Sequence, residues 1–214
     1  SGQKKSQKTD PMTADRILLR SARPTDSIRI CDLLSRAFRP RFLVNSVYAT
    51  PGGVSWLERQ LAGPTDYPNL RVRVLATDEE ICGVTISQLR NVGVHLDYIA
   101  VDPIRSGRGL GSRLMDDLRA AADGGALTLD VFAGNGEVLH WYQTMGFTTT
   151  DRQTFRVFDL ENATGCTGEA VSLDATEISN ARKGADSWGF GSLSADVAGV
   201  PAELTLLGSQ VVRV

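Results

Sequence analysis

Cysteine is scarce in this chain, and its three copies stand far apart. Cys31, Cys82 and Cys166 form no C-x-x-C pair. A disulfide-stapled fold or a zinc site needs cysteines at close, repeated spacings, so the sequence argues against both. We expect a protein of a reducing compartment that holds no metal.

Long hydrophobic runs and a strong charge of either sign are also missing. No apolar stretch approaches the ~20 residues that a membrane span requires, and no secretory signal pattern is present. The formal net charge is −2, from 23 basic and 25 acidic residues, whereas a general nucleic-acid binder carries a basic excess. We therefore expect a cytoplasmic protein whose partners include neither a membrane nor a nucleic acid.

Strand-like runs are what the sequence does contain. Strands are predicted at residues 17–22, 71–77, 81–89, 95–101 and 126–132, the last of them buried. The second and third are joined by a short polar turn, so the sheet begins antiparallel. Ile30, Leu34 and Phe38 recur at helical spacing and predict a helix that ends before Pro40.

The most informative stretch runs from His95 to Met115. It reads as a strand, a stop at Asp102-Pro103, a glycine-rich loop and a helix, because proline cannot donate to a sheet ladder. Leu110, Leu114 and Leu118 follow at helical spacing. Unpaired N–H groups and the positive dipole end at such a helix start favour an anionic ligand such as a pyrophosphate. Additional positive charge around it is expected from Arg105, Arg108 and Arg113.

Two segments of the chain resemble one known family. V-D-P-I-R-S-G-R-G-L-G-S-R-L-M, residues 101–115, looks like the acetyl-CoA-binding segment of the GNAT superfamily of N-acetyltransferases, with Ser106 where the family usually has Gln or Arg. Residues 135–147 are similar to the family pattern N-x-x-A-x-x-L-Y-x-x-x-G-F. The resemblance covers roughly residues 16–160. It implies an α/β (α+β) GNAT fold, with a mixed, mostly antiparallel central sheet flanked by helices.

The resemblance also implies which residues hold acetyl-CoA, which would be the acyl-donor substrate. In this family the strand before the loop aligns the pantetheine arm through its backbone, and the loop and helix start hold the pyrophosphate. The implied donor-binding residues are Ile99, Ala100 and Val101 on the strand, Ser106, Gly107, Arg108, Gly109, Leu110, Gly111 and Ser112 after it, and Asn135 and Tyr142 further along.

Candidate catalytic residues follow from the same comparison. Tyr142 stands where the family's general acid stands, so its phenol would protonate the departing thiolate. His95 and Asp97 lie two apart on a predicted strand, so their side chains share one face, and family members carry catalytic groups at matching positions. The sequence leaves open whether His95, Asp97 or only ordered water acts as the base.

The expected activity is transfer of an acetyl group from acetyl-CoA to a primary amine, by direct attack in a ternary complex. Two alternatives stay open: a longer acyl-CoA as the donor, and a non-catalytic module that binds or senses acyl-CoA. The acceptor is a small-molecule amine or a peptide or protein amine. Phe42, Tyr48 and Trp56 are candidates for contacting it.

Composition divides the chain into three parts. Residues 1–14 are polar and predict a disordered tail or a cloning remnant. The GNAT domain is predicted to span residues 15–160. Residues 161–214 are predicted to form a β-rich C-terminal extension. The extension holds seven acidic and three basic residues, with strand-like runs at 170–173, 190–197 and 204–214. We interpret it as a wall over the acceptor cleft or as the interface of a homodimer. An acidic wall would favour a cationic amine.

Overall fold

The computed structural model describes residues 16–43, 46–63 and 67–152, together with the backbone of residues 190–197, 200–207 and 211–213. The chain divides between Thr128 and Leu129 into two compact units. The domain boundaries predicted at 14/15 and 160/161, and the run predicted at 170–173, lie outside the described residues and stay predictions.

The described chain contains five helices and eight strands. The helices are α1 Ser27–Ala37, α2 Pro40–Leu43, α3 Gly53–Ala62, α4 Leu110–Ala122 and α5 Gly136–Thr144. The strands are β1 Leu18–Ser21, β2 Leu70–Ala76, β3 Ile81–Arg90, β4 Gly93–Val101, β5 Ala126–Leu129, β6 Phe190–Val197, β7 Val200–Leu207 and β8 Val211–Arg213. Short 3₁₀ turns lie at Pro24–Asp26, Val47–Ala49 and Pro103–Arg105. None of the described helices is long and apolar enough to cross a bilayer.

Five strands form one sheet in the order β1-β2-β3-β4-β5. Neighbours from β1 to β4 pair antiparallel. The N–H of Ala126 donates to the carbonyl of Val92 at 2.9 Å, and further along both strands Thr128 reaches His95. β5 therefore runs parallel to β4, and the predicted mixed, mostly antiparallel sheet is confirmed.

β5 is shorter and less buried than the sequence predicts. It ends at Leu129 instead of residue 132, and its side chains alternate between exposed and half-buried. The backbone at the start of β5 lies very close to β4. A Cβ on Gly93 would meet the carbonyl oxygen of Ala126 at 1.9 Å. Only glycine permits this approach of the two backbones.

Helices cover both faces of the sheet. Leu110 and Leu114 of α4 pack with Leu75 on one face, where a Cβ on Gly83 would lie 3.1 Å from Leu114. α1 packs against β3, β4 and α3, and its buried side chains are Ser27, Ile30, Cys31, Leu33 and Leu34. The apolar spacing that predicted these helices therefore marks the stripes that enter the core.

A β-bulge at Asp97 interrupts the pairing of β3 with β4. Ile86 lies opposite Tyr98 and Ser87 opposite Leu96, so Asp97 is an extra residue in β4. The alternation of side chains between the two faces of β4 is therefore interrupted at Asp97. Ile99 packs on the α4 side of the sheet, whereas alternation from residue 95 would have placed it on the opposite face.

The second unit contains a small sheet of its own. β6 and β7 pair antiparallel, and β7 pairs antiparallel with β8. The strand predicted at residues 190–197 coincides with β6. Both interpretations of the extension, the acceptor wall and the homodimer interface, depend on side chains outside the described residues and stay predictions.

Candidate active site

The glycine-rich loop adopts a conformation that requires glycine. Gly107 and Gly109 have φ values of +73° and +76°, a region that other L-residues rarely enter. A Cβ added to either would meet nothing within 4 Å, so the loop backbone faces open space. A ligand can therefore approach these peptide groups closely.

The start of α4 has amides available for an anion. Gly109 is the N-cap of α4, and no side chain caps the helix. The first intrahelical bond of this end runs from the N–H of Arg113 to the carbonyl of Gly109, at 3.1 Å. The N–H groups of the preceding turn have no partner within an α-helix, and they carry its positive dipole end. These donors suit a pyrophosphate.

The residues predicted from Ser106 through Ser112 form the loop at 106–109 and the first turn of α4. Ser106, Gly107, Arg108 and Gly109 are exposed, and Ser112 is exposed on α4. Leu110 differs, because its side chain is buried in the core. Leu110 can therefore contribute only its backbone N–H to a ligand.

Two ion pairs hold the loop at its base. The carboxylate of Asp102 accepts the N–H of Ile104 at 3.0 Å and pairs with Arg36 of α1 at 2.9 Å. The hydrogen bond from Arg36 holds the pKa of Asp102 below its usual range. Arg105 pairs with Glu80 at 2.6 Å. The turn that follows β4 is thus tied both to α1 and to the β2–β3 hairpin.

One of the three arginines expected to add positive charge is neutralised by a carboxylate, and another lies in the loop itself. The charge of Arg105 is neutralised by Glu80. Arg113 donates to the carbonyl of Ile17, at 2.9 Å. Arg108 is exposed within the loop itself, and is therefore the arginine best placed for a phosphate.

At the C-terminal end of β4, one backbone edge of the strand extends past the end of β5. The N–H of Asp102 donates to Cys82 on β3 at 2.9 Å, so alternation directs the peptide groups of Ala100 towards β3 as well. Those of Ile99 and Val101 point to the opposite edge. β5 ends at Leu129, near the middle of β4, and the sheet of described residues has no further strand there.

His95 and Asp97 lie together with two residues from neighbouring strands. His95 Nε2 is 3.8 Å from Asp97 Oδ1, and His95 Nδ1 is 2.9 Å from Thr128 Oγ1. The Gln88 side-chain amide donates to both carboxylate oxygens of Asp97, each at 3.1 Å. Sequence reasoning missed Gln88 and Thr128, since nothing local to either residue marks it. Only the register of three strands brings them to this place.

The aromatic candidates for acceptor contact form a packed cluster. Tyr48 and Trp56 are buried, with ring centroids 5.7 Å apart. Tyr98 stacks edge-on to Tyr48 at 5.2 Å and donates its hydroxyl hydrogen to Ser46 at 3.0 Å. Burial raises the pKa of Tyr48 well above its usual value. Tyr48 and Trp56 therefore support this face of the sheet, while Phe42 is half-buried.

Asn135 and Tyr142 belong to the second unit, where Asn135 precedes α5 and Tyr142 lies within it. Asn135 is the N-cap residue of α5, yet its side chain makes no capping hydrogen bond. Tyr142 is buried and packs edge-on against Phe147, with centroids 5.6 Å apart. Burial raises the pKa of Tyr142 to about 12. Its phenol is therefore protonated at neutral pH.

One protein-family model matches the part of the chain that holds both the glycine-rich loop and α5. Residues 68–149, from just before β2 to just after α5, match the family model for the acetyltransferase (GNAT) domain. This stretch of the chain is similar to a GNAT acetyltransferase domain. The resemblance that the two motifs indicated is thereby confirmed. No curated protein sequence matches the chain.

Solved structures share the GNAT fold at low identity. A transcriptional regulator from Bacillus halodurans is 19% identical, with a TM-score of 0.54, over 67% of this chain and 100% of its own. An aminoglycoside N-acetyltransferase in complex with CoA is 18% identical, with a TM-score of 0.53, over 69% and 98% of the two chains. An aminoglycoside acetyltransferase from an uncultured soil sample is 14% identical, with a TM-score of 0.50, over 67% and 96%. Identities of this size show a common fold and leave the substrate open.

Proposed function

We propose that this protein is an acetyl-CoA-dependent N-acetyltransferase that acts on a primary amine within a ternary complex. The observation that carries this proposal is the pairing of two features inside the GNAT domain. The start of α4 lies uncapped behind Gly107 and Gly109, and the outer edge of β4 extends beyond the end of β5. An anionic group and an extended arm can bind at these two adjacent places.

The residues present fit the donor substrate. The N–H groups of the first turn of α4 would hold the pyrophosphate, with the Ser106 and Ser112 hydroxyls and the charge of Arg108 beside them. Ile99 and Val101 would pair with the pantetheine amides, since their peptide groups point to the outer edge of β4. Ala100 is less suited to this role, because its peptide groups point towards β3. Asn135 would add an amide contact from α5.

The chemistry needs a polarised thioester, a neutral amine and a protonated leaving group. Acetyl-CoA supplies the thioester carbonyl, which backbone N–H groups at the edge of β4 would polarise in the manner of an oxyanion hole. The amine nitrogen forms a bond to the carbonyl carbon, and the carbon–sulfur bond breaks. No covalent enzyme intermediate is needed.

Two sets of side chains would transfer protons, one accepting a proton from the amine and the other donating one to the thiolate. His95 and Asp97 would bind the amine and take up its proton, because a neutral imidazole nitrogen and a carboxylate can each accept one. Tyr142 would give its phenolic proton to the departing thiolate. Its phenol, with a pKa raised by burial to about 12, carries a proton at neutral pH.

Release of free thiol from acetyl-CoA tests the reaction directly. The protein is assayed against a panel of amines, amino acids and peptides, while binding of acetyl-CoA is measured by calorimetry. Turnover with one acceptor class supports the proposal. Turnover only with a longer acyl-CoA would change the donor, and tight binding without any turnover would favour a non-catalytic sensor. Absence of binding would contradict the donor site.

Removal of the Tyr142 hydroxyl should separate chemistry from binding. For Tyr142→Phe we expect kcat to fall about 100-fold, because general acid catalysis contributes roughly 10²–10⁴-fold. The KM for acetyl-CoA should stay within about twofold, since the ring remains. Tyr67→Phe removes the hydroxyl of an exposed tyrosine and serves as the matched control. An unchanged kcat in Tyr142→Phe would remove this residue from the mechanism.

A further inference from the structure

The glycine-rich loop between β4 and α4 is exposed along its length. Residues 106–109 all face solvent, and a Cβ on either of its two glycines would meet nothing within 4 Å. The position of the loop therefore depends on the residues at its two ends. Leu110 is buried in the core at one end, and Asp102 begins the turn at the other.

Asp102 has one protein donor on each of its carboxylate oxygens. Oδ1 accepts the N–H of Ile104 at 3.0 Å, and Oδ2 accepts a guanidinium N–H of Arg36 at 2.9 Å. The side chain is 12% exposed, so the carboxylate depends on these donors more than on water. Loss of the Arg36 contact would leave a mostly buried charge without its counterion. The carboxylate would then turn towards solvent and away from Ile104.

Arg36 is held in place at the C-terminal end of α1. The ring of Phe38, the C-cap of this helix, packs edge-on against Tyr98 of β4, with centroids 5.9 Å apart. Two contacts from one end of α1 thus meet β4 and the turn that follows it. Ile99 and Val101, the proposed partners of the pantetheine arm, lie between these two contacts along the chain.

Two other ion pairs near the turn are less suited to fixing the loop. Arg36 also contacts Asp32 at 3.0 Å, but the side chain of Asp32 is 64% exposed. Arg105 pairs with Glu80 at 2.6 Å, and the side chain of Glu80 is 60% exposed. Carboxylates this exposed are well solvated, so their ion pairs contribute little. The contact of Arg36 with Asp102 differs because its carboxylate is mostly buried.

We propose that Arg36 is a positioning residue for acetyl-CoA and acts on the donor site through Asp102. The inference rests on the proposed acetyltransferase function and adds a residue of α1 to the control of its donor site. Arg36 holds the carboxylate, the carboxylate holds the 3₁₀ turn at Pro103–Arg105, and the turn sets the direction of the loop amides. The affinity for acetyl-CoA therefore depends on the position of α1.

Removal of the charge from either partner should weaken donor binding. Arg36→Met keeps an unbranched side chain and removes the guanidinium, while Asp102→Asn keeps an oxygen that can accept the N–H of Ile104. Each should raise the Kd and the KM for acetyl-CoA roughly fivefold, which is less than the full effect of a hydrogen bond to a charged group. The kcat at saturating acetyl-CoA should change little, because neither side chain takes part in the chemistry. Calorimetry and steady-state kinetics measure the two effects.

A double-mutant cycle tests whether the two side chains act as one unit. In Arg36→Met combined with Asp102→Asn, the Kd should exceed that of either single variant by less than about twofold, since both changes remove the same contact. Arg36→Lys keeps the positive charge and should restore part of the affinity. Multiplicative effects, roughly 25-fold in the double variant, would show that the residues act separately and would overturn the proposal.

Two further variants of α1 serve as controls. Asp32→Asn removes the exposed partner of Arg36. Ile30→Val removes a methyl group from a fully buried side chain, so it should lower the unfolding midpoint. Both should leave the Kd for acetyl-CoA within about twofold of the wild-type value. If Ile30→Val weakened binding as much as Arg36→Met, the effect would be one of general stability, and the positioning role would be wrong.

Binding and turnover together separate the role of Arg36 from the proposed function. Equal Kd values in wild type, Arg36→Met and Asp102→Asn would overturn the role of Arg36 while leaving the acetyltransferase function intact. Weaker binding in both variants, in a protein without turnover on any amine, would support the role of Arg36 and count against the proposed function. Absence of acetyl-CoA binding in wild type would contradict both.

Discussion

Gly109 connects the loop to α4 through a left-handed backbone conformation with φ of +76°. The same residue is the N-cap of the helix, so its conformation decides where the first free amides point. Space is not the limiting factor, because a Cβ here would meet nothing within 4 Å. The demand on this position is therefore one of backbone conformation alone.

Substitution of Gly109 should weaken both folding and donor binding. For Gly109→Ala we expect a loss of roughly 1–2 kcal/mol in the free energy of unfolding, the usual cost of an L-residue in this region. The KM for acetyl-CoA should rise several-fold, because the amides tilt away from the pyrophosphate. Denaturant unfolding and steady-state kinetics measure the two effects.

The control for this substitution is Gly63→Ala. Gly63 has an extended φ of 165°, and a Cβ there also meets nothing within 4 Å. Its replacement should change neither the stability nor the KM by a measurable amount. If both alanine variants behaved alike, the left-handed conformation of Gly109 would not matter for donor binding.

At the scale of elements, a contact between α1 and the turn after β4 constrains the loop from a distant part of the chain. Arg36 and Asp102 are 66 positions apart in sequence and form a 2.9 Å hydrogen bond. Asp102 also accepts the N–H of Ile104 within the turn. One buried carboxylate therefore fixes the path of the chain from the sheet into the loop and connects it to α1.

The stability contributed by this contact should depend on pH. Arg36 lowers the pKa of Asp102 in the folded state, so the contribution is complete above the unfolded value of about 3.9 and is lost as pH falls through the lower folded value. The midpoint of thermal unfolding should therefore differ more between wild type and Asp102→Asn at pH 7 than at pH 3.

Asp32→Asn provides the matched control for that prediction. Asp32 is the other partner of Arg36, at 3.0 Å, but it lies exposed one helical turn away, where ion pairs contribute little. Its substitution should leave the unfolding midpoint nearly unchanged at both pH values. A pH-independent difference between wild type and Asp102→Asn would show that Asp102 acts through packing and not through its charge.

At the scale of the whole molecule, binding of the donor should stabilise the native state. A ligand at about 100 times its Kd adds about 2.7 kcal/mol when it binds only the folded protein. For a chain of this length the unfolding midpoint should rise by roughly 5–11 °C. Thermal scans with and without acetyl-CoA measure the shift, which should need a higher concentration in Gly109→Ala. No shift at saturating acetyl-CoA would contradict the donor site.

Local sequence determined the elements and the donor loop. Leu110, Leu114 and Leu118 mark one face of α4 by their spacing alone, and all three are buried. The predicted strands of the first unit lie within a few residues of those observed. The loop from Ser106 to Ser112 could be recognised for the same reason, because its residues are adjacent along the chain and glycine conformation is a local property.

The cluster of His95 and Asp97 with Gln88 and Thr128 was decided only by the tertiary structure. Asp97 meets Gln88 because of a one-residue bulge in the pairing of β3 with β4, and His95 meets Thr128 because β5 runs parallel to β4 from a shared starting point. Strand register depends on hydrogen bonds between distant segments and on packing against both faces of the sheet. Periodicity within one strand contains no information about either.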